Sequence, residues 1–236
     1  KRGYEIGREL AGGKLKGFKV PLEKSDDAKK KVLMTGAEII ALGAVAGGCN
    51  FVSAYPVSPS SGVLQNIAKY KDDFGIVVEQ CEDEISGINM CIGAWYAGAR
   101  ALANTSGGGF ALMQEGISLA GMTETPVVVH IAQRPGPATG LPTRTAQEDL
   151  ELVLHAGHGE FPRAIFAPGT LQEGFLLAKH AFETADRYQI PVFILSDQYF
   201  MDTFYNLEEI EAADIKIKNN VVETDENYER YKLTDD

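Results

Sequence analysis

The chain has 236 residues, 44% of them hydrophobic, with a formal charge of −11 and three cysteines. Such a length allows one domain with a sizeable core, the composition is far from that of disordered chains, and the acidic balance argues against a face built to neutralise nucleic-acid phosphates. No apolar run approaches the roughly 18 residues of a membrane span, the start KRGYEIGREL lacks the apolar core of a signal peptide, and Cys49, Cys81 and Cys91 show no metal-ligand spacing, so a cytoplasmic protein with buried, reduced thiols is expected.

The charge is uneven along the chain. Residues 1–31 hold ten basic against five acidic side chains and are weakly periodic, which predicts a linker or the remnant of a preceding domain. Residues 32–205 read as one compact domain. In chain order they give a helix over 36–48, a strand over 51–56, a helix over 60–70 and a strand over 76–80. A helix over 83–98, a strand over 101–106, a helix over 109–121 and a strand over 127–133 follow. The series closes with a helix over 147–156, a strand over 164–168, a helix over 170–188 and a strand over 192–196. Residues 206–236, with four basic and ten acidic side chains, predict a segment leading toward a further domain. Since residue 1 is not Met and the last stretch closes no element, the chain is expected to be a piece of a longer polypeptide.

Short strands that are apolar on both faces, alternating with helices, specify an α/β domain whose mostly parallel sheet is covered on both sides. Ligands of such sheets bind outside the carboxyl ends of the strands, so the loops after Tyr55, Gln80, Ser106 and Gln133 should converge. Within the 83–98 helix, Gly87, Cys91, Ala94 and Gly98 form a stripe of small side chains beside an apolar stripe of Ile85, Ile88, Ile92 and Trp95. Helix-interior glycine costs about 1 kcal/mol relative to alanine, so something approaches this backbone closely: the sheet or another subunit in plain packing, or a cofactor or catalytic subunit interface.

Four segments offer chemistry. In YPVSPSSG, prolines fix a loop that leads into a helix with Ser60 or Ser61 as the N-cap, and its hydroxyls suit an anionic or carbonyl ligand. Of the acids Glu82, Asp83 and Glu84, all favourable in a first helical turn, Glu84 stands where the chain turns inward and suits proton handling. NTSGGGF places backbone amides at a helix start but is neither a P-loop nor a dinucleotide fingerprint. Only eight basic residues lie between 32 and 205, and two of them, Arg134 and Arg144, fall in the Gly/Pro-rich loop QRPGPATGLPTRTAQED. The planar fork of arginine matches carboxylates, which predicts an anionic substrate; for Arg144 ion pairing with Glu148 or Asp149 is the plainer account. His130, His155, His158 and His180 are scattered without ligand spacing, so no metal site is expected on this chain.

Taken in series, YPVSPSS, VEQCEDEISGINMCIGAWYAGARA, NTSGGGFALMQEGISLAGMTETPVVV, QRPGPATGLPTRTAQEDL, HGEFPRAIFAP and IPVFILSDQ resemble the alpha subunit of 2-oxoacid:ferredoxin oxidoreductases over about residues 34–200, most closely the 2-oxoglutarate type. The resemblance implies a pyrimidine-binding thiamine diphosphate domain, with magnesium and an iron-sulfur cluster on a beta subunit and the complex an oligomer. It implies oxidative decarboxylation of a 2-oxoacid to its acyl-coenzyme A with reduction of ferredoxin. Glu84 falls on the family's glutamate that hydrogen-bonds the aminopyrimidine ring, Ser58 on a substrate-facing hydroxyl that is threonine in many relatives, and Arg134 on the arginine that pairs with the oxoacid carboxylate. Tyr55, Pro56, Ser106 and Gly107 would frame the cofactor, and Arg144 would reach a second substrate carboxylate. The family's commoner TSGPGF becomes NTSGGGF here, with Gly108 in place of proline. Pyruvate, a branched-chain or an aryl oxoacid, or a non-catalytic docking role, are the alternatives.

Overall fold

The computed structural model describes residues 2–14, 30–208, 210, 216–218 and 220–233. In chain order the elements are α1 (Arg2–Lys14), β1 (Lys31–Thr35), α2 (Gly36–Ala46), β2 (Phe51–Ala54), α3 (Ser61–Lys69), α4 (Lys71–Phe74), β3 (Val77–Gln80), α5 (Glu84–Tyr96) and β4 (Ala101–Thr105). Then come α6 (Gly107–Leu112), α7 (Gln114–Thr123), β5 (Val127–Gln133), α8 (Leu150–Leu154), β6 (Ala164–Phe166), α9 (Leu171–Tyr188), β7 (Pro191–Asp197), α10 (Gln198–Asp202) and β8 (Phe204–Glu208).

Six strands form one parallel sheet in the order β3-β2-β4-β5-β7-β6, as the alternation of apolar runs and helices predicts. Every residue of β4 and β5 is buried, and full burial of each Val or Ile contributes about 1.5–3 kcal/mol. Successive strand side chains point to opposite faces. One face, carrying Thr105 and Phe193, packs against α5, α6 and α7, with Phe110 edge-on to Phe193 at 5.2 Å between ring centres. The other, carrying Asn104 and His130, packs against α2, α3, α9 and α10.

Helix starts follow local chemistry. Thr35 with Glu38, and Thr170 with Glu173, form reciprocal capping boxes on α2 and α9. Ser60 does not cap α3: its hydroxyl donates instead to the Val57 carbonyl at 2.8 Å. The helix expected over 109–121 is two, broken at Met113. The first half of the small-residue stripe lies on the sheet: a Cβ at Gly87 would stand 3.6 Å from the Ser53 carbonyl, and Cys91 reaches the same carbonyl, whereas Gly98 falls beyond the end of α5, exposed and with nothing within 4 Å.

The short helices α4 and α10 and three further features lie outside the predicted elements. β1 and β8 pair antiparallel in a separate small sheet, so β8 runs across residue 205. α1 lies within the basic 1–31 stretch, with all its described side chains exposed. At the amino ends of the strands, Arg100 anchors the acidic tail: it pairs with Asp186 at 2.6 Å and donates to the carbonyls of Gly47 and Lys218. Among the described residues, no helix is long and apolar enough to cross a membrane.

Candidate functional site

From β2 the chain moves outward to β3 and then returns past β2 to β4, so the strand order reverses between β2 and β4. A crevice at the carboxyl ends of strands is expected at such a point. The loops after β2, β3, β4 and β5 do converge there.

Glu84 enters from the first turn of α5. Asp83 takes the N-cap position, its carboxylate accepting from Ser86 N at 2.7 Å, while Glu82 is exposed. The helix therefore uses one acid for its cap and turns the next one inward, leaving Glu84 only 6% exposed. Its carboxyl lies over the glycine turn that opens α6: a Cβ at Gly109 would stand 2.3 Å from Glu84 Oε1 and 2.1 Å from Thr105 Oγ1. Burial is the main cause that pushes the Glu84 carboxyl above its usual range; its own backbone amide opposes the shift, Asp83 adds to it, and Arg134 also opposes it. A buried carboxyl in a crevice, its pKa raised by that burial, is a recognised functional signature.

Arg134 leaves the end of β5 and donates through Nη1 to the Ser58 carbonyl, joining the two loops that flank the crevice. It lines a cavity of about 190 Å³ with Gly107, Gly108, Pro137, Ala138 and Asp149. Burial, and secondarily Glu148, raise the Asp149 carboxyl above its usual range. Ser106 is fully buried at the start of α6, with its hydroxyl unpaired among the described residues. On the opposite face of the sheet His130 Nε2 meets Ser196 Oγ at 2.8 Å, and burial pushes this histidine down to about 3, which keeps it neutral.

Glu84, Arg134, Ser106 and Gly107 are thus gathered at one edge, and Ser58 joins them through its carbonyl, its side chain being exposed. Tyr55 and Pro56 are exposed on the same loop. Arg144 is not brought in: it is exposed, lies outside the residues lining the Arg134 cavity, and among the described residues its guanidinium approaches the carbonyl of Thr143, at 3.4 Å. It makes no ion pair with Glu148 or Asp149 among the described residues, because Glu148 accepts from the Gly136 amide at 3.1 Å and Asp149 turns toward α6. Thr105, Gly109 and Asp149 belong to the site without having stood out in the sequence, since each matters through a contact between distant segments.

A buried glutamate seated on a glycine turn at the reversal point of a parallel sheet defines a ligand-binding α/β domain. Residues 42–236 match the family described as "Pyruvate flavodoxin/ferredoxin oxidoreductase, thiamine diP-bdg", and the chain belongs to that family. It is 40% identical over 231 residues to the 2-oxoacid:ferredoxin oxidoreductase 1, subunit alpha, of Sulfurisphaera tokodaii, a match covering 91% of this chain and 37% of that protein. It is 43% identical over 166 residues to the 2-oxoglutarate synthase subunit KorA of Archaeoglobus fulgidus, covering 70% of this chain and 48% of that one. The solved 2-oxoglutarate:ferredoxin oxidoreductase from Magnetococcus marinus, with 2-oxoglutarate, coenzyme A and succinyl-CoA bound, superposes with a TM-score of 0.89 at 34% identity, over 99% of this chain and 41% of that one. The chain thus spans less than half the length of each of these relatives.

Proposed function

We propose that this chain supplies the pyrimidine-binding half of a thiamine diphosphate site in a cytoplasmic 2-oxoacid:ferredoxin oxidoreductase that converts a 2-oxoacid and coenzyme A to acyl-coenzyme A and carbon dioxide while reducing ferredoxin. The single observation that carries the reading is Glu84: a carboxyl buried at the crevice, raised toward its protonated form and given its space by the missing side chain of Gly109. Such a group fits an aminopyrimidine, because it can hold a hydrogen bond to a ring nitrogen while sharing the proton. When bound, thiamine diphosphate would supply the carbon nucleophile for the oxoacid carbonyl. The chain's own part is to bind and orient. Glu84 holds the proton at the ring, Arg134 presents its fork to the oxoacid carboxylate, Ser58 contributes its hydroxyl, and Tyr55, Pro56, Ser106 and Gly107 frame the ligands.

2-Oxoglutarate is the preferred oxoacid, since the A. fulgidus relative and the M. marinus structure are named for it. Pyruvate, branched-chain or aryl acids are the competing substrates, and rates of the assembled enzyme with each acid decide among them. Arg144 is exposed and would reach a second carboxylate only by movement of its loop.

A beta subunit carrying magnesium and the iron-sulfur cluster completes the reading. The outer side of α5 and α7 suits such a partner: Ile85, Tyr96, Leu119 and Met122 are exposed there, and Gly93 is a helix glycine with nothing within 4 Å of its Cβ position. An exposed apolar face of this kind marks an interaction surface. The three free, buried cysteines accord with a reducing cytoplasm. In the assembled enzyme Glu84→Gln should abolish oxoacid oxidation with the fold intact; wild-type turnover in that variant would sink the assignment.

A further inference from the structure

The crevice holds a second, half-buried carboxyl that the proposed chemistry does not use. Asp149 occupies the N-cap position of α8, yet its side chain makes no capping hydrogen bond. Its backbone N–H donates to Gln133 Oε1 at 3.0 Å, which ties it to the end of β5. Its carboxyl crosses to α6 instead, where a Cβ at Gly107 would stand 2.0 Å from Oδ1 and 2.3 Å from Oδ2. Glu84 occupies the corresponding space at Gly109. Between them, a Cβ at Gly108 would stand 3.1 Å from the Ala138 carbonyl, so the Arg134 loop closes on the same turn. Gly107 and Gly109 are therefore needed because the Asp149 carboxyl at the first, and Thr105 with the Glu84 carboxyl at the second, fill the places of their side chains, whereas at Gly108 the Ala138 carbonyl leaves a close contact that a small shift relieves.

Stability does not account for the arrangement. Asp149 Oδ2 is buried and unpaired among the described residues, and an N-cap aspartate that forgoes its cap gives up a hydrogen bond its helix would use. We propose that Asp149 is a positioning residue: seated on Gly107, it holds the Gly107–Gly109 turn against Glu84 and fixes that turn relative to the Arg134 cavity, one wall of which it forms. The proposal rests on the reading of Glu84 as the cofactor contact. Without the Asp149 carboxyl, Gly107 is free to settle into the vacated space, and Gly109 moves with it, away from Glu84.

The test uses the assembled enzyme, with two readouts: thiamine diphosphate affinity by titration calorimetry, and KM against kcat for the oxoacid. Asp149→Ala should weaken cofactor affinity about tenfold or more, and lower kcat by up to about 100-fold, the cost of an ångström-scale misplacement. Asp149→Asn, which fills the same space, should retain most of the cofactor affinity. Gly107→Ala should be as damaging as Asp149→Ala, whereas Gly107→Ala with Asp149→Ala should recover affinity relative to Gly107→Ala alone, because the new methyl group then occupies the emptied place. A loop anchor with no link to the turn would show no such recovery. Wild-type cofactor affinity in Asp149→Ala, or a double variant no better than Gly107→Ala, would overturn the proposal; thermal midpoints check that each variant folds. Glu84→Gln measured alongside separates the two readings. Normal affinity in Glu84→Gln overturns both, and lost affinity there with normal affinity in Asp149→Ala overturns this proposal alone.

Discussion

Gly109→Ala probes whether the Glu84 carboxyl sits where the structure places it. The added methyl group would meet Thr105 Oγ1 at 2.1 Å and Glu84 Oε1 at 2.3 Å, more than 1 Å inside ordinary contact at 3.4 Å. Thr105 is buried in β4 with its hydroxyl directed to the Ser106 carbonyl at 3.3 Å, so it yields little room. The carboxyl or the first turn of α6 must give way. Replacing a helix glycine by alanine contributes about 1 kcal/mol in favour of the fold, whereas forcing a methyl group into a filled space costs about 1–3 kcal/mol. The net loss of stability is therefore at most about 2 kcal/mol. Function should suffer far more, since an ångström of displacement at a positioned catalytic group costs about 100-fold. Denaturant unfolding of the variant and thiamine diphosphate titration of the assembled enzyme measure the two effects separately. A Gly109→Ala variant that gains stability and binds cofactor normally would refute the placement of Glu84.

Burial places the folded-state pKa of Glu84 above its usual value of 4.5. Its contribution to stability is thus full below that usual value and is lost as pH rises through the folded-state value. Glu84→Gln should match the wild type in acid and be more stable near neutral pH, as read from unfolding midpoints across pH; a wild type that gains on the variant as pH rises contradicts this. Arg134→Ala should raise the oxoacid KM by about tenfold or more through loss of a charge-assisted pair, with thiamine diphosphate affinity retained. If KM is unchanged, the carboxylate role is wrong. Arg100→Ala leaves Asp186 buried without its cation, at a cost of about 3–5 kcal/mol. Trypsin should then cleave near Lys218 faster than in the wild type, and an unchanged rate would show that Arg100 does not hold the tail.

The central strands β2, β4, β5 and β7 were legible because each is a short apolar run and burial on both faces demands that composition; the edge strands β3 and β6, half-buried or exposed, were legible from their place in the alternation with helices. β1 and β8 were not, since KVLMT and FYNLE are half-exposed and owe their pairing to one another rather than to any local pattern. The break at Met113 was invisible because apolar spacing runs straight through it. At the site, residue type pointed to Glu84, but which of three consecutive acids turned inward depended on Asp83 taking the cap. Arg134 was legible as one of few cations near the strand ends. Arg144 shared that signature, but it is exposed and outside the residues that line the Arg134 cavity. Asp149 was legible only as a salt-bridge partner: its contact with Gly107 joins two distant segments, and nothing near either residue announces it.

The two ends of the sheet differ in how their buried polar groups are satisfied. At the amino ends Arg100 meets Gly47, Asp186 and Lys218, and its backbone N–H meets Asn50 Oδ1 at 2.8 Å. Toward the carboxyl ends lie the buried atoms without partners among the described residues: Asn104 Oδ1 near the end of β4, Ser106 Oγ just beyond it, and Asp149 Oδ2 at the end of the loop after β5, with His130 Nδ1 on the strand register opposite Asn104. Each such atom costs about 1–3 kcal/mol, and stable folds concentrate such costs where function needs them. The asymmetry assigns opposite outcomes to the same kind of substitution. At the amino edge, removing a polar group leaves a partner stranded and can only weaken the fold. At the carboxyl edge, removing the Ser106 hydroxyl relieves a standing cost, so a Ser106→Ala variant that gains stability while losing cofactor affinity identifies a group kept for its chemistry.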